Sequence, residues 1–193
     1  MSGQVSNIRH QLKSVRSTQK ITNAMSLVST AKLQKQRGRM EENNVYAEAF
    51  DNMLLSALAG MDEKDRNSRY FKSNDVDNPL HIVITSNTGL CGSYNMDLIK
   101  YVQKTIRKVD PIFAIGSYGI KWLDANDYMV IKRFSELDDA NPAIINKLID
   151  NSIDLYRQGE INKVDIIYTQ YVNTLTFRSE ERRVGKECRS RWS

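Results

Sequence analysis

Residues 84–95 read ITSNTGLCGSYN, and this stretch decides the fold class of the chain. It continues an apolar, β-branched run, LHIVITS (80–86), and leads into MDLIKYVQKTI (96–106), whose apolar residues recur at helical spacing. A strand, a glycine-containing loop and a helix in this order form the local plan of a phosphate-binding site in α/β proteins. The first question is therefore whether this loop binds a nucleotide.

Strand-like and helix-like segments keep alternating after this loop. Strands are predicted at 80–86, 112–116, 129–134 and 163–172. Helices are predicted at about 95–108, 117–126 and 141–157. Strands that alternate with helices are typical of an open, mostly parallel sheet. The predicted fold class is a Rossmann-like α/β domain.

One very long helix is predicted before this domain, from about residue 4 to 61. The segment contains no proline, and Gly38 is its one breaker-like residue before the end. Ile8, Leu12 and Val15 follow the spacing of one helical face. About fifty-five residues at about 1.5 Å each give a rod of roughly 80 Å, which a domain of this size cannot bury. We therefore expect the helix to project from the domain.

Charge is unevenly distributed along the chain, although the net charge is only +5. Residues 1–40 contain eight basic residues and no acidic residue. Residues 41–177 contain 14 basic and 20 acidic residues, and residues 178–193 contain six and three. A basic arm thus precedes an acidic body.

The centre of the long helix, ITNAMSLVSTA (21–31), carries no charge at all. It is rich in small and hydroxylated residues, with Met25, Leu27 and Val28 among them. A helix that is apolar or neutral all round is normally surrounded by protein. A buried helix in a bundle is the simpler interpretation, and it likewise places partners on several sides.

The glycine loop matches no complete phosphate-binding motif. Gly89 and Gly92 give only G-x-x-G, whereas the dinucleotide fingerprint needs three glycines and the P-loop needs Gly-Lys-Ser/Thr. Asn95 is predicted to cap the following helix, and Asp97 then lies in the first turn, where its charge repels an anion. We expect a structural or contact loop, with no cofactor.

No catalytic or metal-binding constellation is evident in the sequence. Cys91 has no obvious base nearby, because His10 lies in the basic arm and His81 lies at the start of the preceding strand. We therefore expect Cys91 to be a small, half-buried packing residue. No cluster of Cys, His and carboxylates has metal-ligand spacing. No apolar run approaches the roughly 20 residues that span a bilayer, and the N-terminus lacks the apolar stretch of a secretory signal.

The last sixteen residues, RSEERRVGKECRSRWS (178–193), differ in character from the rest of the chain. They have no periodicity and resemble the translation of a sequencing-library adaptor, so they are set aside from fold prediction. A disordered basic tail is the alternative. The predicted domains are a helix over 1–61, an α/β domain over 62–177 and a non-native tail over 178–193. Without the tail Cys91 is the single cysteine, so no internal disulfide is possible.

Two stretches together resemble a known family. IRHQLKSVRSTQKITNAMSLVSTAKLQK (8–35) resembles the N-terminal helix of the gamma subunit of F-type ATP synthase, and ITSNTGLCGSYN resembles a loop of the same family. EINKVDIIYTQYVNTLTF (160–177) fits a later strand of that family. The loop departs from the family pattern at Asn87 and Thr88, where Asp-Arg is usual, and at Ser93 and Tyr94, where Gly-Phe is usual.

The resemblance implies a non-catalytic rotor subunit that couples ion flow to ATP synthesis or hydrolysis at the beta subunits. It implies a coiled-coil shaft inside the ring of alpha and beta subunits, and an α/β foot that contacts the epsilon subunit and the c-subunit ring. The second long helix of that shaft is expected to be missing from residues 1–193. A peripheral position at the cytoplasmic face of a bacterial membrane follows, with membrane association only through the complex.

The resemblance also implies which residues make contacts. The shaft residues expected to face the alpha and beta subunits are Arg9, Lys13, Lys20, Ile21, Thr22, Met25 and Lys32. The residues expected to form the foot-domain loop are Ser86, Gly89, Leu90, Cys91, Gly92 and Asn95. The neutral segment 21–31 fits a shaft that turns in a low-friction sleeve.

Two alternatives use the same features differently. The first is a nucleic-acid-binding α/β protein, because eight basic residues without an acid fit phosphate contacts. Against it, residues 1–40 contain no aromatic residue and the centre of the helix is uncharged. The second is a nucleotide-dependent enzyme that uses the glycine loop. The family resemblance itself implies no nucleic-acid partner.

Overall fold

The long N-terminal helix is present. A computed structural model describes residues 2–62, 74–135, 142–173 and 176–184. The chain divides into two units, Met1–Glu63 and Lys64–Ser193. In the first unit, α1 (Ser2–Ala59) is one α-helix of 58 residues. The absence of proline and the good helix formers along it explain its continuity. The helix ends where the Gly60 amide bonds to the Ser56 carbonyl, at 3.2 Å.

The second unit is the predicted α/β sheet. Its elements in chain order are β1 (Leu80–Ile84), α2 (Tyr94–Thr105), β2 (Ile112–Ile115), α3 (Ser117–Ala125), β3 (Val130–Phe134), α4 (Pro142–Gln158), β4 (Val164–Asn173) and β5 (Thr176–Val184). The strand order is β3-β2-β1-β4-β5, and the first four strands of that order are parallel. The predicted fold class is confirmed, and most element boundaries agree within two or three residues.

Two apolar layers cover the two faces of the sheet. Successive residues of a strand point to opposite faces, so β1 divides its apolar side chains between the layers. Val83 packs with Leu98 and Val102 of α2 on one face. On the other face, Leu80 and Ile82 belong to a cluster against which α4 packs. The sheet is therefore held between α2 and α3 on one side and α4 on the other.

Strand β5 was not predicted. It pairs antiparallel with β4 over almost its whole length, and it includes residues 178–184, for which the sequence predicts no regular element. The parallel strands alone leave β4 as an edge with unpaired N–H and C=O groups. Backbone hydrogen bonds to such an edge depend little on side-chain type, so a segment without periodicity can still pair with it.

Candidate functional site

The surface of α1 is open to solvent along most of its length. Every side chain from residue 6 to residue 39 is exposed, including all seven predicted contact residues. Exposed apolar side chains include Ile21 at 59% and Met25 at 52%. A helix that leaves this much apolar area in water needs a partner to cover it. The contact roles of the seven residues stay predictions.

A basic stripe runs along the first third of α1. We define it as Arg9, Lys13, Arg16 and Lys20, which follow each other at intervals of three or four residues and so lie on one helical face. Leu12 and Ser17 lie on the same helical face. Among the described residues, no carboxylate forms an ion pair with this stripe. Four like charges in a row give this face a positive potential.

Three threonine hydroxyls next to and within the neutral segment 21–31 bond to their own helix. Thr18 donates to the Ser14 carbonyl at 3.1 Å, and Thr22 donates to the Thr18 carbonyl at 2.9 Å. Thr30 donates in the same way to the Ser26 carbonyl at 2.9 Å. This bonding satisfies the hydroxyl protons within the helix. The signal for this pattern in the sequence is a threonine in the interior of a helix.

Asn95 organises the loop between β1 and α2. Its Oδ1 accepts a hydrogen bond from the Ser86 amide at 3.1 Å, and its Nδ2 donates to the Ser86 Oγ at 2.7 Å. The predicted N-cap role is wrong, because α2 begins at Tyr94 and Ser93 is the N-cap residue, without a side-chain cap bond. Asn95 is instead a buried helical residue that ties the end of β1 to the start of α2.

Cys91 lies at the surface of this loop. The prediction of a half-buried packing residue is wrong, because Cys91 is exposed and its thiol is free. The Asn95 amide donates to the sulfur at 3.2 Å, and the Ser86 hydroxyl lies 3.8 Å from it. The neighbouring Leu90 is 97% exposed at φ 61°, and Gly92 has φ 60°. The loop thus presents an apolar tip on a left-handed backbone.

The geometry of the loop does not favour a bound phosphate. The loop lies at the carboxyl end of β1, between neighbours β2 and β4, where open α/β sheets usually bind ligands. The Ser86 hydroxyl donates to the Thr88 carbonyl at 2.7 Å, and the Ser86 amide is already bonded to Asn95. Asp97 lies in the first turn of α2, as predicted, and its carboxylate opposes an anion there. The side chain of Tyr94 is half-buried beside this loop, and burial raises its pKa.

Other classes of site find no support in the described part of the chain. Among residues 2–62, 74–135, 142–173 and 176–184, no group of three or more His, Cys, Asp and Glu residues could hold a metal ion. No helix in those ranges has both the length and the apolar character needed to cross a membrane. The two features that remain are the exposed surface of α1 and the loop that Asn95 organises.

Comparison with known proteins decides which family carries these features. A family model described as ATP synthase matches residues 4–186. The chain belongs to the ATP synthase gamma chain family. The gamma chain of Clostridium kluyveri is 32% identical over 173 residues, which are 87% of this chain and 60% of that protein. The gamma chain of Mycoplasmopsis agalactiae is 31% identical over 173 residues, which are 89% of this chain and 60% of that protein.

These curated gamma chains are longer than this one, which spans about 60% of their length. One solved relative shares the fold. A chain in the cryo-EM structure of the Tetrahymena thermophila mitochondrial ATP synthase central stalk and c-ring has a TM-score of 0.62 and 20% identity, over 86% of this chain and 72% of that one. The predicted family is confirmed, and a chain of this central-stalk structure shares the fold.

Proposed function

We propose that this gamma-family chain is part of the central rotor of an F-type ATP synthase. In this proposal α1 is one of the helices that form the shaft inside the ring of alpha and beta subunits. The α/β domain is the foot, which contacts the epsilon subunit and the c-subunit ring. Turning of the shaft then couples ion flow in the membrane sector to ATP synthesis or hydrolysis at the beta subunits.

One observation carries the proposal: α1 is a 58-residue helix whose side chains from residue 6 to 39 are all exposed. Most helical stability in proteins comes from the packing of an apolar face rather than from propensity. The exposed apolar side chains therefore need cover from other chains. A shaft enclosed by a ring of subunits provides that cover on every side.

The basic stripe gives the shaft an electrostatic role. Positive charge on one face of α1 complements acidic segments of a surrounding subunit. Such complementarity sets orientation and association rate more than affinity. The predicted contacts Arg9, Lys13 and Lys20 belong to the stripe, and Lys32 lies beyond the neutral segment. Ile21, Thr22 and Met25 lie within that segment and are proposed to slide against the ring.

The proposed role of this chain is mechanical, without a catalytic group or a cofactor of its own. In this proposal the nucleotide sites belong to the alpha and beta subunits. The loop Ser86, Gly89, Leu90, Cys91, Gly92 and Asn95 is proposed as a contact loop of the foot. Its internal hydrogen bonds and the acidic first turn of α2 support a structural role for it. We place the chain at the cytoplasmic face of a bacterial membrane, where the complex anchors it.

Co-expression with the alpha and beta subunits of the same genome tests the proposal. The full chain is purified through a tag on the beta subunit at low salt, and the recovered chain is quantified. We expect recovery that is weak and less than stoichiometric, and that falls as salt rises. Lys13→Glu with Lys20→Glu, both in the basic stripe, should lower recovery several-fold because the charge complementarity is reversed.

A charge-matched control separates the stripe from net charge. Lys121→Glu with Lys147→Glu changes the same number of charges at exposed positions of α3 and α4. This control should be recovered like the parent chain. Equal recovery of the stripe variant and the control, or no recovery of the parent at low salt, would contradict the proposal.

The nucleic-acid alternative gains no support from the family or from its relatives. It uses the same basic stripe, so one measurement separates the two functions. Binding of the chain to duplex DNA that is tighter than the non-specific level, with an affinity that falls steeply as salt rises, would favour the alternative. We expect no binding tighter than the non-specific level.

We also propose the domain division predicted from the sequence, with a shaft helix over 1–61, a foot over 62–177 and a non-native tail over 178–193. Strand β5 and the family match to residue 186 both extend past residue 177. Sequencing the genomic locus across codon 177 from an adaptor-free amplicon tests the proposed tail. A genomic reading frame that encodes different residues from codon 178 onward supports the division. A reading frame that encodes this same sequence up to codon 193 refutes it.

A further inference from the structure

A histidine lies buried between two carboxylates at the amino ends of the parallel strands. His81 is the second residue of β1, and in the register it lies beside Ile112 of β2 and Asp165 of β4. Asp110 comes two residues before β2. His81 is 5% exposed, Asp110 2% and Asp165 1%. Three titratable side chains are thus withdrawn from water together.

The imidazole of His81 makes no hydrogen bond within the described residues. Its Nε2 lies 3.6 Å from Asp110 Oδ2, and its Nδ1 lies 3.6 Å from Asp165 Oδ2. Both distances are too long for hydrogen bonds. A protonated ring in this position therefore lacks the short, charge-assisted bonds that usually compensate a buried charge.

Each carboxylate already has a cation of its own. Asp110 accepts hydrogen bonds from the Arg107 amide at 3.0 Å and from the Arg107 Nε at 2.8 Å. Arg107 also pairs with Asp77 at 2.9 Å. Lys163 Nζ lies 3.0 Å from Asp165 Oδ2. On β5, the register places Arg183 opposite Asp165.

We propose that His81 is an acid-sensitive element of the α/β domain, which is most stable with an uncharged imidazole and weakens when that ring is protonated. Burial without hydrogen bonds makes the charged form costly. Arg107 is hydrogen-bonded to Asp110 and Lys163 forms an ion pair with Asp165, and the charge of Lys163 opposes a further positive charge on the ring. Burial accordingly lowers the pKa of His81, while Asp165 and Asp110 oppose the shift.

The direction of the pH effect follows from linkage. The unfolded chain binds a proton at His81 with the ordinary histidine pKa of about 6.5, and the folded chain binds it at a lower pH. The contribution of neutral His81 to the stability of the domain is complete above about pH 6.5. It decreases as the pH falls toward the pKa of His81 in the folded chain. Since one proton is involved, the folding equilibrium constant falls by at most about tenfold per pH unit.

Urea unfolding of the full chain between pH 7.5 and 5.5 tests the proposal. The parent should lose stability as the pH falls below about 6.5, whereas His81→Gln should show a much flatter profile. The chain has two histidines, so His10→Gln on the exposed surface of α1 is the matched control and should keep the pH dependence of the parent. Equal pH profiles for the parent and His81→Gln would overturn the proposal.

A second measurement needs no change at His81. An NMR titration of the parent chain follows both imidazoles, and the spectrum of His10→Gln assigns them. A midpoint for His81 below the ordinary histidine value supports the proposal. A midpoint at or above that value overturns it, even if His81→Gln fails to fold.

Discussion

The hydroxyl of Thr85 accepts a hydrogen bond from the Gly119 amide and donates one to the Ile115 carbonyl, each at 2.9 Å. One buried side chain thus joins the end of β1 to the end of β2 and to the first turn of α3. The backbone leaves no room for a second side chain here. A Cβ on Gly119 would lie 2.6 Å from Thr85 Cγ2, and one on Gly116, which has φ 94°, would lie 2.2 Å from the Thr85 carbonyl oxygen.

Gly119→Ala should destabilise the α/β domain. The added methyl group overlaps Thr85, so α3 must move away from β1, at a cost of about 1–3 kcal/mol in the free energy of unfolding. Urea unfolding of the full chain, followed by far-UV circular dichroism, measures the change. Gly89→Ala is the matched control, because no atom lies within 4 Å of its added Cβ, and it should change stability by less than about 0.5 kcal/mol. Equal effects of the two variants would contradict the prediction.

Thr85→Val tests the hydrogen bonds of the same side chain at nearly constant volume. The valine leaves the buried Gly119 amide without its acceptor, which should cost about 1–3 kcal/mol of unfolding free energy. Thr105→Val removes a hydroxyl that bonds to the Tyr101 carbonyl at an exposed position. Water can replace that bond, so the control should cost less than about 0.5 kcal/mol. A Thr85→Val chain as stable as the control would show that these bonds contribute little.

Asn95→Ala should destabilise the domain and loosen the loop after β1. The substitution removes the acceptor of the half-buried Ser86 amide and a donor to Ser86 Oγ, so we expect a loss of about 1–3 kcal/mol. Asn126→Ala, which removes one bond to the Trp122 carbonyl at the end of α3, should cost less. Hydrogen exchange of the Ser86 amide gives a local readout. Unchanged protection there in Asn95→Ala would contradict the prediction.

Gly38→Ala should stabilise α1 in the free chain. No atom lies within 4 Å of an added Cβ, and alanine is favoured over glycine inside a helix by about 1 kcal/mol. Helical ellipticity at 222 nm during thermal unfolding measures the gain. Ala31→Gly is the converse control and should lose a similar amount. A loss of helicity in Gly38→Ala would be the opposite of the expected result.

The elements of the fold were predictable because their signals are local. The helical spacing of Leu98, Ile99 and Val102 and the β-branched runs of β1 and β4 each lie within one stretch of sequence. The alternation of strands and helices along the chain was then enough to predict where most elements begin and end, and that most strands pair in parallel. The exception is β5, whose formation depends on an open edge of β4 and on no pattern in its own residues.

The contacts that position the candidate sites were not predictable in the same way. Thr85 and Gly119 are 34 residues apart, and His81 meets Asp110 and Asp165 only because parallel strands align their amino ends. The sequence predicted Asn95 as a cap because asparagine often caps helices, whereas its partner Ser86 lies nine residues upstream. The prediction that Cys91 is half-buried was wrong for a related reason. The exposure of its side chain depends on how the loop turns back on itself.

The threonine hydroxyls next to and within segment 21–31 limit what this part of α1 can offer to a surrounding protein. Directional hydrogen bonds would fix preferred angular positions, but Thr22 and Thr30 direct their protons to the carbonyls of their own helix. These two hydroxyls therefore offer no proton to a surrounding protein, whereas Lys20 and Lys32 lie exposed on either side of the segment. Under the proposed rotor function, the charged residues on either side, rather than these two threonines, would set the angle of the helix.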